Sequence, residues 1–184
     1  DEPTLKAIEA AALLHDTGKI AIPEHILNKP GKLTPFEFEQ MKLHVDVGAQ
    51  MLAAIDYPYP VASLILSHHE RWDGCGYPNG LAGEQIPLGA RALAVAEYFD
   101  SLTTPRPYHL SVSLDAATDM LRQESGHAFD PSVVEVFEGI LPFLAPGVWR
   151  ETFRRLTEMS DGQIRFIGLT SMLVGLLMLY FARN

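Results

Sequence analysis

Cysteine is nearly absent. Cys75 is the single one in 184 residues, so no internal disulfide can form and no paired-cysteine zinc site can be assembled. That pattern suits a reducing, cytosolic setting for the globular part. Basic residues are scarce as well. Fourteen Lys and Arg face 23 Asp and Glu, giving a formal charge of −9. This excludes a general nucleic-acid surface, which needs a basic stripe. A phosphate ester can still be bound through metal ions and a few well-placed cations. No signal peptide is visible. The chain opens at Asp1 without Met, as a fragment or a processed product would. No strand-like alternation runs long enough to build a sheet, and there is no internal repeat or low-complexity segment, so the expected fold is all-α.

What is present is an apolar chain of one domain with an appendage. Hydrophobic residues make up 47% of it and charged residues 20%, enough to bury a real core. Leu5, Ile8, Ala12 and Leu13 recur at helical spacing and predict a helix over residues 3–15. Pro23 opens a short helical turn through Leu27. Thr34, Pro35 and Glu37 form the start signal of a helix running to about Ile55, with His44 on one face beside Met41, Gly48 and Met51. Pro58 and Pro60 interrupt the chain. A helix from Val61 to about Glu70 then carries His68 and His69 near its end. Residues 71–86 read as a long glycine-rich loop, and Pro87 opens a helix to about Leu102. Further helices are expected over 114–123 and 131–137.

The composition changes near residue 138, so the predicted domains are 1–137 and 138–184. Arg150, Arg154 and Arg155 form a basic patch. Residues 166–182 carry no charge and are bracketed by Arg165 and Arg183. At about 1.5 Å per residue these 17 positions span roughly 26 Å, the lower limit for crossing a bilayer. A transmembrane helix with a cytoplasmic N-terminal flank is one reading. A buried helix of a soluble core is the other.

The chemistry concentrates in three places. His68 and His69 are followed by Glu70, Asp73 and a loop too rich in Gly and Pro to stay helical. His15-Asp16-Thr17-Gly18-Lys19 is a second polar island, and His44 lies between them. Neutral imidazole with carboxylate suits iron, manganese or zinc. An adjacent His-Asp pair serves two metals if the carboxylate bridges, and adjacent histidines reach two metals because successive helical side chains diverge by about 100°. These pieces are expected to converge on a metal centre. His25, His109 and His127 are read as ordinary structural histidines.

The segments HDTGK (15–19), HILNKPGKLTPFEFEQMKLH (25–44), HHERWDGCGYPNGLAGEQIPLGARALAVAEYFD (68–100) and SLTTPRPY (101–108) resemble the HD-GYP family of bacterial cyclic di-GMP phosphodiesterases. The resemblance covers roughly residues 5–137. It implies an HD-type helical bundle around two or three divalent metal ions, iron first and manganese as an alternative. Residue by residue, it makes His15, Asp16, His44, His68 and His69 metal ligands, with Asp16 bridging. The acidic ligand of the late helix falls at Glu97, where the family usually has Asp, with Asp100 as backup ligand or support. Lys19 matches the family lysine beside the scissile phosphate, and Arg106 the arginine that pairs with a substrate phosphate. Asp16, Lys19, Arg106 and Asp100 are thus the catalytic and substrate-binding candidates. Gly76, Tyr77 and Pro78 form the namesake loop, likened to a docking surface for diguanylate cyclase domains. The family's further Glu and His ligands come from a helix ahead of residue 1, and His109 stands where the family tends to have Lys or Arg. Residues 138–184 resemble the latter part of a small two-helix bacterial inner-membrane family of unknown function, so the join near Phe137 looks like a fusion.

These readings imply hydrolysis of cyclic di-GMP to linear pGpG, and on to GMP. The alternative is a catalytically weak receptor for cyclic dinucleotides, or a docking module for cyclase domains; a third reading is a non-functional fusion fragment. The expected partners are a cyclic dinucleotide, a cyclase domain, a membrane at 166–182 and a second copy of the chain. No nucleic-acid polymer is expected. The expected location is the cytoplasm, with the domain tethered to the bacterial inner membrane if 166–182 spans it.

Overall fold

Short helices joined by Pro and Gly punctuation build this molecule. The computed structural model describes residues 2–105, 110–144 and 160. Among the described residues seven α-helices follow in order: α1 (Glu2–Leu14), α2 (Glu24–Leu27), α3 (Pro35–Ala53), α4 (Val61–Ser67), α5 (Leu88–Thr103), α6 (Leu114–Gln123) and α7 (Pro131–Leu144). Two 3₁₀ turns, Thr17–Ala21 and Gly83–Gln85, were not anticipated from the sequence. Among the described residues there is no strand, only an isolated bridge between Ser125 and Phe129, so the fold is all-α. Residues 1–139 form one compact unit and residues 140–184 a second.

α3 starts where the sequence signal stood. Thr34 Oγ1 accepts from the Glu37 amide at 3.3 Å, and Glu37 Oε2 accepts from the Thr34 amide at 2.7 Å. This reciprocal cap satisfies two amide groups that the first turn leaves unpaired. The buried stripe of α3 is His44, Val45, Gly48, Ala49 and Leu52, which corrects the expected face. His44 sits at the edge of that stripe. Met51, about 20° farther round after one heptad, falls into solvent and is 41% exposed.

Packing organises around α5. Its Ala90 and Leu93 join Ala7, Ala11, Leu52, Val61, Leu64, Ile65 and Ile86 in one apolar cluster. Val95, two residues on, joins Leu121, Ala128, Phe129 and Val134 in a second. α5 therefore couples α1, α3 and α4 on one side to α6 and α7 on the other. The 3₁₀ turn after α1 lies against α3 at very close range. A Cβ on Gly18 would stand 1.9 Å from the His44 carbonyl oxygen and 2.5 Å from the Gly48 nitrogen. Only glycine permits that approach.

Two boundaries differ from expectation. α4 ends at Ser67 rather than near Glu70, with His68 as its C-cap at φ −71° and ψ −18°; the Glu70 amide turns back to the Ser67 carbonyl at 3.1 Å. α7 continues through Glu138 and Gly139 to Leu144, because Phe137 packs on the second cluster and Glu138 pairs with Arg122 at 2.9 and 3.1 Å. Residues 166–182 lie outside the described residues. Among the described residues no helix is long and apolar enough to cross a membrane.

One ion pair ties the second cluster to the long loop. The Asp130 carboxylate accepts from Arg91 at 2.5 Å, and from the Ser132 amide and hydroxyl at 2.8 and 2.7 Å. The Arg91 guanidinium lies over the Trp72 ring at 5.7 Å. Asp130 and Arg91 side chains are only 3% and 16% exposed, so removing one partner strands a buried charge. Asp130→Ala is expected to cost about 3–5 kcal/mol in urea unfolding. Arg122→Ala, in the exposed pair with Glu138, should cost no more than about 1 kcal/mol.

Candidate metal centre

Two helix ends and the middle of a third helix aim histidines at one another. His15 follows α1, His44 lies in the middle of α3, and His68 caps α4. Each turns its Nδ1 toward the carbonyl oxygen three residues back: Ala12 at 2.8 Å, Met41 at 2.6 Å and Ile65 at 2.5 Å. A carbonyl only accepts, so Nδ1 carries the proton. The Nε2 lone pair is then free to point inward, the tautomer that a metal-binding imidazole needs.

Those inward atoms converge. Ring nitrogens of His44, His68 and His69 lie within 4.8 Å of one another. The His15 and His68 rings are 5.5 Å apart, and His44 and His69 are 5.2 Å apart. Asp16 sits between two histidines, with Oδ1 3.9 Å from His44 Nε2 and Oδ2 3.6 Å from His15 Nε2. Glu97 Oε1, arriving on α5, is 4.0 Å from His15 Nε2. Lys19 Nζ donates to Asp16 Oδ2 at 2.6 Å.

Three atoms of this group are buried without a hydrogen-bond partner: Asp16 Oδ1, His44 Nε2 and His68 Nε2. Buried polar atoms are nearly always paired, and an orphan costs about 1–3 kcal/mol. Three orphans facing one space fit a divalent cation and fit little else. The residues present therefore suit a metal, and the neutral imidazole and carboxylate donors suit iron, manganese or zinc.

Burial sets the protonation states in the same sense. It pushes the imidazoles of His44, His68 and His69 below the ordinary histidine value, His68 to about 4 and His69 to about 3. All three remain neutral at pH 7. Burial works to raise the Asp16 carboxyl, but the Lys19 hydrogen bond and charge and the nearby imidazoles together hold it below the ordinary value.

The other predicted residues fall elsewhere. Asp100 is exposed, accepts from Thr104 Oγ1 at 2.8 Å and does not border the cavity beside the histidines. Arg106 and His109 lie outside the described residues, and His25 and His127 are exposed. Glu70 and Asp73 fold the loop. Glu70 is 3% exposed and accepts from the Asn79 and Leu81 amides at 2.7 and 3.0 Å. Asp73 pairs with Arg71 at 2.8 Å and accepts from the Cys75 amide at 2.9 Å. Their carboxylate oxygens are thus committed to the loop.

That loop delivers a residue whose place the sequence did not reveal. A Cβ on Gly76 would meet the Arg71 nitrogen at 2.3 Å, so glycine lets the loop fold onto its own start. The Tyr77 amide then reaches the His69 carbonyl at 3.2 Å, and its ring lies 4.9 Å from the His69 ring. Phe38 abuts Tyr77 edge-on at 6.1 Å, and Lys42 Nζ lies over both rings at 5.1 and 5.4 Å. Beside the histidines opens a cavity of about 300 Å³, with His68, His69, Tyr77 and Glu97 in its wall.

Acid should weaken the metal-free protein in a defined window. A depressed histidine pKa means that the unfolded chain takes up protons that the folded one refuses. Stability is therefore full above about pH 6.5 and is lost as the pH falls toward 4. Thermal melts of the metal-free protein should show a lower Tm at pH 5 than at pH 7. His69→Asn should flatten that dependence.

Residues 1–133 match the family described as the HD domain. Residues 132–182 match a family described as an uncharacterized protein conserved in bacteria. The chain is 49% identical over 136 residues to a cyclic di-GMP phosphodiesterase response regulator, RpfG, of Xanthomonas campestris pv. campestris; the match covers 73% of this chain and 36% of that protein. It is 46% identical over 132 residues to a cyclic di-GMP phosphodiesterase of Thermotoga maritima, covering 71% and 36%. The chain thus spans about a third of the length of these relatives. A solved structure of a cyclic GMP-AMP specific phosphodiesterase of Vibrio cholerae superposes with a TM-score of 0.59 at 23% identity, over 89% of this chain and 45% of that one. That likeness supports the fold alone.

Proposed function

The chain belongs to the HD domain family, and from that premise we propose that it is a metal-dependent phosphodiesterase acting on cyclic di-GMP. The observation that carries this reading is the set of buried orphan atoms, Asp16 Oδ1, His44 Nε2 and His68 Nε2, facing one another. Relatives at 46–49% identity, named as cyclic di-GMP phosphodiesterases, supply the substrate.

In this proposal two or three divalent ions, iron or alternatively manganese, are held by His15, His44, His68, His69 and Glu97. Asp16 offers an oxygen to each side. When bound, such ions supply Lewis acidity toward a phosphate and make water a better nucleophile at neutral pH. Lys19 is the chain's own contribution to the chemistry. Its ammonium, held by Asp16 at the edge of the cluster, offsets charge that builds on the phosphate oxygens. The neutral imidazoles keep their lone pairs for metal rather than protons. Arg106 is proposed to grip a substrate phosphate, and Asp100 to act from outside the cluster through its neighbours. The loop at Gly76, Tyr77 and Pro78 is proposed as a contact for a cyclase domain.

The test is turnover of cyclic di-GMP to linear pGpG by the full chain reconstituted with iron or manganese. Lys19→Ala should retain metal, since a charged ammonium has no lone pair to donate, and should lower turnover by about 10²-fold. His68→Ala should lose metal and turnover together. Tight binding of cyclic di-GMP without turnover in the metal-loaded wild type would favour the receptor reading instead.

We also propose that residues 166–182 tether the protein to the bacterial inner membrane. The full chain should then resist alkaline carbonate extraction from membranes, whereas a chain ending after Leu144 should be released. Complete release of the full chain would sink the tether.

A further inference from the structure

A second cavity lies away from the histidines. It encloses about 350 Å³ between the end of α3, the start of α4 and the segment that joins them. Leu52 and Val61 line it on the inside, both buried and both part of the apolar cluster built on Ala90 and Leu93. Tyr57 and Tyr59 also line it, with ring centroids 6.4 Å apart. The exposed Asp56 lies between α3 and these rings and faces the same space. α4 separates the cavity from the metal centre. Val61 opens that helix and His68 caps its far end, about 10 Å along the axis. We propose that this cavity binds a small alkylated ammonium ion. The proposal does not depend on the phosphodiesterase reading.

Charge selects a cation. α3 ends at the cavity, and Ala53 and Ala54 at that end belong to the lining. The last carbonyls of a helix lack intrahelical partners and carry its negative pole. A basic residue in the last turn would offset that pole, and α3 has none. Asp56 adds a carboxylate just beyond, and among the described residues it has no ion-pair partner. No Lys, Arg or His stands among the lining residues. Negative potential from two sources thus meets in one hollow, with no cation of the lining to balance it.

The rings narrow the choice. An aromatic face attracts a cation within about 6 Å of its centroid. With the Tyr57 and Tyr59 centroids 6.4 Å apart, one ion can satisfy that limit for both. A metal ion or a bare primary ammonium is strongly hydrated, and an apolar wall cannot replace its water. An alkylated ammonium carries its charge beneath methyl groups, so its surface suits Pro60 and the rings while its charge suits Asp56. Both tyrosines pack on the apolar cluster beneath them, so little ordering is lost on binding. The volume lies at the small end of ligand sites, which fits an ion of this size.

The experiment compares choline with 3,3-dimethylbutan-1-ol, which has the same shape and no charge, on the full chain by calorimetry at matched ionic strength. Choline should bind about tenfold tighter than the alcohol. Asp56→Asn, a change at an exposed position, should weaken choline several-fold and leave the alcohol unchanged. Tyr59→Leu removes a ring face and should weaken choline several-fold, whereas Tyr59→Phe removes only the hydroxyl and should bind as the wild type does. Asp56→Asn carries the test if Tyr59→Leu melts early. Manganese at saturation should leave the choline affinity unchanged, because the histidine cluster is a separate site. No choline binding, equal affinity for the alcohol, or a preference untouched by both Asp56→Asn and Tyr59→Leu would overturn the proposal. Displacement of choline by manganese would overturn it as well, by placing the ion at the histidine cluster.

Discussion

Residues 1–139 are arranged around imidazoles anchored by one nitrogen only, two of which, His44 and His68, have been taken out of water. His15, His44 and His68 each turn Nδ1 toward a carbonyl of their own helix. That bond fixes ring plane and tautomer together, and it leaves His44 Nε2 and His68 Nε2 buried without a partner. The arrangement is unfavourable in itself, because each stranded acceptor forfeits its hydration. It persists because two apolar clusters supply the stability that the centre does not. A pocket of donors held open against its own energetics is a preorganised site, in which a cation of the right size meets ligands that need not move.

The scaffold achieves this by close approach rather than by bulk. Gly18 lets the turn bearing Asp16 and Lys19 sit on the backbone of α3 at His44 and Gly48. Any side chain there would push the carboxylate away from the histidine it faces. The second device is the loop after His69. Glu70 spends both carboxylate oxygens on the amides of Asn79 and Leu81. Trp72 and Asp73 amides reach the Ala128 and His127 carbonyls at 3.0 and 2.9 Å. The loop is thereby fastened at both ends, and Tyr77 is pressed against His69. The buried Arg91–Asp130 pair locks the same region to α5. α5 thus positions Glu97 against His15, and holds the loop and α7 through Arg91 and Val95.

How legible was this in the chain? Helix starts were readable wherever Pro or a capping pair announced them, as at Thr34–Glu37, because those signals act within one turn. Helix ends were less so. α4 stops at Ser67 because Glu70 is needed for the loop, and α7 runs on because Phe137 and Glu138 find partners on α5 and α6. Both outcomes depend on residues distant in sequence. The histidine and carboxylate positions stood out as polar islands in apolar helices. Their mutual distances did not, since those follow from the Gly18 contact and from α5 bridging two clusters. Tyr98, Phe129 and the placement of Tyr77 had no local signal at all. An aromatic residue at helical spacing looks the same whether it faces a core or a cavity. Glu70 was misleading for the opposite reason, since a carboxylate beside two histidines resembles a ligand until its acceptors are seen to be spent on amides.

The chain carries a formal −9, so any anion meets net repulsion over most of its approach, screened beyond about 8 Å at physiological ionic strength. Within the cluster His44, His68 and His69 stay neutral, and Asp16 adds negative charge that Lys19 only balances. The residues described at this centre therefore do not by themselves form an anion site. Positive potential at this centre would come with a divalent ion, and the depressed pKa values of His44, His68 and His69 keep protons from occupying the same lone pairs first.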